Sequence, residues 1–221
     1  RRDLVEGLAA IDAPDVAFRQ IAVKACRLAA RRVVDGDHIA PALVAALDFD
    51  RKARELTGLD EIEYCVEPKF DGASISLIFE NDLLVRGATR GDGVEGDEIT
   101  NNIRQIKTIP LSAAFSKQGI QQVEIRGEVL INKSNFKKYN DQLIALGEDP
   151  KANPRNMASG TLRLKDSAEV AKRNLEAFVY HVSYYTLQKE ASVPLALTTH
   201  AGSLKLLWEL GFRSPQQEKK I

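Results

Sequence analysis

The chain has 221 residues, 44% of them apolar and 28% charged, enough to bury one sizeable core or two small ones, with the makeup of an ordinary globular protein. Its 31 basic and 31 acidic side chains give a formal net charge of zero, which argues against a dedicated nucleic-acid-binding module with strong unaided affinity, since such modules carry a basic excess. There is no long apolar run and no signal-peptide pattern, and Cys26 and Cys65 stand far apart without a CxxC partner. The expectation is a cytoplasmic protein, with no membrane span and with buried thiols in a reducing compartment. His38, His181 and His200 are scattered, so no metal site is expected from them.

Composition shifts near residues 48 to 60. Before that stretch there is no Ser, Asn or Tyr and the basic residues are mostly Arg; after it Lys, Asn and Ser are common. Residues 1–47 are therefore expected to form a helical segment distinct from residues 48–221. Within it Val16, Ile21, Val23, Ala25 and Leu28 recur at helical spacing, and Asp35-Gly36 stops the pattern. Arg19, Lys24, Arg27 and Arg31 lie between them, as a basic face for DNA or a partner helix or, more simply, as a solvated face balanced by nearby Asp residues. A second helix is expected from Pro41 to Thr57, with Pro41 in its first turn. From Glu63 the pattern turns to strands: Tyr64 to Lys69, Ala73 to Glu80 and, after a turn at Asn81-Asp82, Leu83 to Thr89 as a hairpin partner. Asp97 reads as the N-cap of a helix through Arg104. Val123 to Ile131 and Ala177 to Thr186 read as further strands, and 134–146, 156–162 and 199–210 as helices. Strands and helices mix without βαβ alternation, which predicts an α+β fold with antiparallel sheets flanked by helices.

The segment Glu67-Pro68-Lys69-Phe70-Asp71-Gly72 places a lysine two residues before an Asp-Gly pair. Lysine is a poor nucleophile in water because its ordinary pKa is about 10.4. A nucleophilic lysine needs burial or crowding by other cations, and a metal ion to neutralise the phosphate it attacks. On its own, the motif also fits a surface lysine before a turn. Other blocks follow in order: Ala88-Thr89-Arg90-Gly91-Asp92-Gly93, Gly96-Asp97-Glu98-Ile99-Thr100, Arg126-Gly127-Glu128, Asn153-Pro154-Arg155-Asn156 and Ala158-Ser159-Gly160-Thr161-Leu162-Arg163. Taken together, and from about Asp48 to the C-terminus, they resemble the adenylation domain of the bacterial NAD-dependent DNA ligases.

The resemblance implies a nucleotidyltransferase fold, NAD and Mg²⁺ as cofactors, and nicked double-stranded DNA as partner, in DNA replication and in the repair of DNA damage. Lys69 is then the nucleophile that takes AMP from NAD, a task closed to arginine, which stays protonated. Asp71 lies beside the phosphate, and Gly72 lets the backbone approach closely. Their simpler reading is an Asp-Gly turn. Glu67 is implied to accept from the adenine amino group; otherwise it is a surface residue of a strand shared with Lys69. Arg90 is implied to bind the nucleotide, or else to be a hairpin-end arginine paired with Asp92. Glu128 is implied to bind the ribose, with Gly127 leaving room for the sugar. Arg155 and Arg163 are implied to reach DNA phosphates or the nucleotide, against an ordinary helix with two surface arginines.

The family's N-terminal Tyr, His and Asp pattern for the nicotinamide mononucleotide half of NAD does not occur in residues 1–47, and its Asp-Gly-x-Val-x-Lys strand and later Lys-x-Pro are not found. The expectation is an adenylation domain incomplete at both ends. Two alternatives stay open beside the NAD-dependent enzyme: a catalytically inactive ligase-like fragment or interaction module, and an ATP-dependent ligase or capping-type transferase that shares Lys-x-Asp-Gly.

Overall fold

Proline's fixed φ suits the first turn of a helix, and the helix expected after Pro41 is found at Pro41–Thr57, here α1. A computed structural model describes residues 41–62, 64–65, 67–91 and 95–214. The expected helix from Val16 to Val33, its arginines and Cys26 lie outside the described residues. The chain divides into two units, the first reaching Cys65 and including Thr198–His200, the second holding the remainder of residues 66–220. In the first unit, Asp48 pairs with Lys52 at 2.7 Å, Asp50 with Arg54, and Arg51 with Glu55 at 2.7 Å. The first two have the acid N-terminal to the base, the orientation that favours a helix. Tyr64 packs its ring 5.7 Å from that of Phe49 and donates its hydroxyl to Asp50 at 3.3 Å. Cys65 is half-buried rather than buried.

The second unit is built on a four-stranded antiparallel sheet in the order β2-β1-β3-β4, with β1 at Ala73–Glu80, β2 at Leu83–Thr89, β3 at Ile120–Leu130 and β4 at Glu176–Leu187. Asn81 and Asp82 both take positive φ, 47° and 71°, as a two-residue hairpin turn requires. Ile75, Leu77 and Phe79 alternate onto one face of β1 and are almost fully buried. They lie opposite Gly127, Ile125 and Val123 of β3, so one face of the sheet supplies the core. Helices α2 (Thr100–Ile103), α3 (Lys133–Ala145), α4 (Pro154–Leu162), α5 (Ser167–Lys172) and α6 (His200–Glu209) complete the chain. Ile103, Met157, Ala158, Leu162, Val170 and Leu207 join the same core, and Phe79 lies 5.5 Å from Phe115 and 5.4 Å from Phe212. The α+β expectation holds, with the sheet flanked by helices. Asn153 caps α4 by accepting from the N–H groups of Arg155 and Asn156, with Pro154 next in line.

Two local expectations fail. The residues described between Tyr64 and Lys69 belong to no strand; they cannot neighbour β1, which is paired on both edges with β2 and β3, and the chain enters β1 through a bend at Gly72. Asp97 does not cap a helix: Thr89 N–H donates to Asp97 O and Asp97 N–H to Thr89 Oγ1, both at 2.9 Å, so residue 97 is still extended and α2 starts only at Thr100.

These bonds close the stem of the loop that carries Arg90. Thr100 reinforces it, accepting from Gly87 N–H at 2.8 Å and donating its hydroxyl to Glu98. That hydroxyl is the main reason the Glu98 carboxyl titrates below its ordinary value of 4.5. A depressed carboxylate stabilises the fold above its unfolded pKa and loses that contribution as pH falls through the folded value. Urea midpoints of the wild type should therefore drop below about pH 4.5 more steeply than those of Glu98→Gln. Parallel acid limbs for the two proteins would exclude this role.

Candidate active site

Gly72 fixes where the Lys69 segment ends. Its N–H donates to Glu128 Oε1 at 3.1 Å, and a Cβ at this position would stand 2.1 Å from Val129 O, so only glycine lets the chain pass this close to β3. Phe70 stacks on Phe178 with centroids 4.4 Å apart, which anchors the residue after the lysine. Lys69 itself is exposed, so burial does not supply the activation expected of a nucleophile.

Lys69 lies on the wall of a recess of about 510 Å³, which Glu67, Asp71, Arg90, Glu128 and Arg155 also line. A volume of this order suits a nucleotide-sized ligand. A neighbouring recess of about 430 Å³ shares Ser74, Arg90 and Arg155 with the first and adds Gly72, Asn156, Ser159 and Arg163. Glu67, Lys69, Asp71, Gly72, Arg90, Glu128, Arg155 and Arg163 thus each border one of two adjoining recesses at one end of β1. Glu67 is half-buried there; the described residues of 64–69 form no strand, so Glu67 and Lys69 do not share a strand face.

Glu128 is 9% exposed and held at both oxygens, Oε1 by Gly72 N–H and Oε2 by Ser74 Oγ at 2.8 Å. Each carboxylate oxygen keeps a further lone pair. Gly127 does not make room for a ligand, since a Cβ there would meet Phe178 O of the neighbouring strand β4 at 2.8 Å.

The cations differ in their partners. Arg155 Nη1 lies 3.2 Å from Asp71 Oδ1. Arg163 donates through Nε to Asp97 Oδ2 at 2.7 Å and through Nη1 to Ser159 Oγ at 3.1 Å. Among the described residues, neither Lys69 nor Arg90 forms an ion pair. Across the two recesses, Lys69 and Arg90 stand without a salt bridge among the described residues, whereas Arg155 and Arg163 are each paired with a carboxylate.

Residues 43–221 match the family model of the NAD-dependent DNA ligase adenylation domain. The chain belongs to that family. This adenylation domain is 59% identical over 174 residues to a DNA ligase of Sulfurihydrogenibium sp. (strain YO3AOP1), covering 79% of this chain and 25% of the relative. It is 55% identical over 174 residues to a DNA ligase of Aquifex aeolicus (strain VF5), covering 79% and 24%. With a DNA ligase of Acetivibrio thermocellus the identity is 43% over 168 residues, covering 76% and 24%. The chain thus spans about a quarter of the length of the relatives it matches.

Two residues of the adenylation domain's recess were not singled out from the sequence. Ser74 donates to Glu128 and borders both recesses; a hydroxyl on the outward face of an alternating strand carries no signal until its register against Glu128 is known. Tyr180 lines the larger recess and was legible only as one tyrosine of a Tyr-rich strand. No helix among the described residues is long and apolar enough to cross a membrane.

Proposed function

We propose that this adenylation domain takes AMP from NAD onto Lys69 as the first step in sealing nicked double-stranded DNA, in a cytoplasmic setting that serves replication and repair. What supports the reading is the gathering of Lys69, Asp71, Glu67, Arg90 and Glu128 round one recess. NAD is a consumed substrate in this scheme. Lys69 Nζ, once it has lost a proton to water, attacks the α-phosphorus; its lone pair forms a P–N bond while the P–O bond to nicotinamide mononucleotide breaks, that group leaves with the electron pair, and the nitrogen sheds a second proton to water. Arg90 binds phosphate oxygens, and Gly72 lets the chain pass close to the bound nucleotide. Glu67 accepts from the adenine amino group, the ring of Tyr180 offers a face to the base, and Glu128 accepts from the ribose hydroxyls with its remaining lone pairs. Asp71, exposed beside Lys69, is the carboxylate suited to Mg²⁺, which favours one or two carboxylates together with substrate phosphates. The metal supplies neutralisation of phosphate charge. Residues 48–221 are proposed as the adenylation domain, within the residues 43–221 that match the family model.

Intact mass spectrometry after incubation with Mg²⁺ and either NAD or ATP tests this. One AMP adduct from NAD, mapped to Lys69, is the expected result. An adduct from ATP alone moves the chain to the ATP-dependent class, and none from either donor makes it an inactive ligase-like fragment.

Arg155 and Arg163 are assigned to DNA phosphates in the same proposal. Arg155→Ala should weaken binding to a nicked duplex at low salt almost uniformly across DNA sequences, and flatten the slope of log K against log salt by about 0.9. An unchanged slope removes Arg155 from the phosphate contacts.

A further inference from the structure

Asn102 belongs to neither recess and was not singled out from the sequence, yet it holds the backbone on both sides of Arg163. It sits on α2 and is 7% exposed. Its Nδ2 donates to the carbonyl oxygens of Leu162 and of Leu164, both at 2.8 Å. A primary amide has two hydrogens on nitrogen, so this pair of bonds uses its whole donor capacity, and only its NH₂ end suits a position between two acceptors. Arg163 is the C-cap of α4. Carbonyls at a helix C-terminus lack intrahelical partners and fray unless something else binds them. Asn102 supplies that partner on either side of the residue whose guanidinium borders the second recess.

The side chain of Arg163 is steered from the same stretch of chain. Asp97, five residues before Asn102, accepts from Arg163 Nε, and Asp97 is itself tied to Thr89 through two backbone-directed bonds. The segment 97–102 therefore sets the backbone of Arg163 through an amide and its guanidinium through a carboxylate. We propose that Asn102 is a positioning residue for Arg163, acting through the Leu162 and Leu164 carbonyls to hold its guanidinium where a DNA phosphate enters the recess. The inference rests on the assignment of Arg163 to DNA phosphate made above.

A double-mutant cycle on the full chain tests it, with affinity for a 5′-phosphorylated nicked duplex read by fluorescence anisotropy at low salt. The four proteins are the wild type, Asn102→Ala, Arg163→Ala and the double variant. Asn102→Ala is expected to weaken binding about five-fold when Arg163 is present and less than about two-fold when Arg163 is already alanine, because residues acting through one another are not additive. An equal loss in both backgrounds assigns Asn102 to general stability and overturns the proposal. Wild-type affinity in Arg163→Ala, or a wild type that does not bind, instead overturns the phosphate assignment of Arg163, a separate failure. If Asn102→Ala does not fold, Asn102→Ser leaves a hydroxyl in the space but loses the bridge between the two carbonyls, and the same comparison of backgrounds decides.

Discussion

Lys69→Ala should fold like the wild type and carry no AMP after incubation with NAD and Mg²⁺. The two halves of this expectation come from different observations. Lys69 is exposed and, among the described residues, takes no part in an ion pair, so its side chain contributes little to stability, as is usual for surface substitutions, which change it by about 0.5 kcal/mol or less. Its position on the wall of the larger recess, beside Arg90 and Arg155, is what supports its proposed role as the amine that meets a bound α-phosphate. Lys69→Arg should be equally inert, since a guanidinium keeps its proton and has no lone pair to offer. The decisive comparison is the intact mass of the three proteins alongside their thermal melts. A covalent adenylate on Lys69→Ala would refute the assignment of the nucleophile; a collapsed melt would show that the lysine is structural.

Gly72→Ala should be among the most damaging small changes in the chain. A Cβ there would stand 2.1 Å from Val129 O and 2.9 Å from its carbonyl carbon, with Glu128 Cγ at 3.1 Å. The first two are backbone atoms of a strand paired on both sides, so they cannot swing away as a side chain could. Relief has to come from moving the Lys69 segment off β3, which breaks the bond from Gly72 N–H to Glu128. A loss of about 2–3 kcal/mol is expected, in the range of overpacking changes, read as a lower urea midpoint with an unchanged slope. Gly160→Ala is the control: nothing lies within 4 Å of its would-be Cβ, it sits within α4, and alanine there should add up to about 1 kcal/mol. If Gly72→Ala is as stable as wild type, the close approach to β3 is not a constraint on the fold.

Elements with a local cause were legible in the sequence. Pro41, the Asn81-Asp82 turn and the alternation of Ile75, Leu77 and Phe79 each act through near neighbours, and α1, the hairpin and β1 fall where these residues place them. The failures have non-local causes. Tyr64 to Lys69 has the composition of a strand, but the place beside β1 that it would take is filled on both sides by β2 and β3, strands that the intervening sequence does not reveal as the partners of β1. Asp97 has the chemistry of an N-cap, but Thr89, eight residues earlier in the chain, takes its backbone into an extended pairing. The candidate site was legible through residue types unusual for their surroundings, a lysine before Asp-Gly and arginines among glycines. Ser74 and Asn102 were not, because an ordinary serine on a strand and an ordinary asparagine in a helical turn acquire their roles only from partners more than fifty residues away.

The pairing of β1 with β3 also bears on how the chain can fold incorrectly. Sliding one strand past the other by two residues would return every apolar side chain to the face it came from, because side chains alternate with period two. The hydrophobic pattern therefore cannot distinguish the native alignment from its nearest neighbour. The polar end of the pair can: Ser74 stands opposite Glu128, and the Gly72 N–H reaches Glu128 Oε1 at 3.1 Å. A slipped sheet would bury its core and take from the Glu128 carboxylate the Gly72 N–H and Ser74 hydroxyl that hold it in the native alignment. The residues that shape the recess thus act as a key for strand alignment, and substitutions among them should yield, besides inactive protein, a misaligned population with native-like secondary structure.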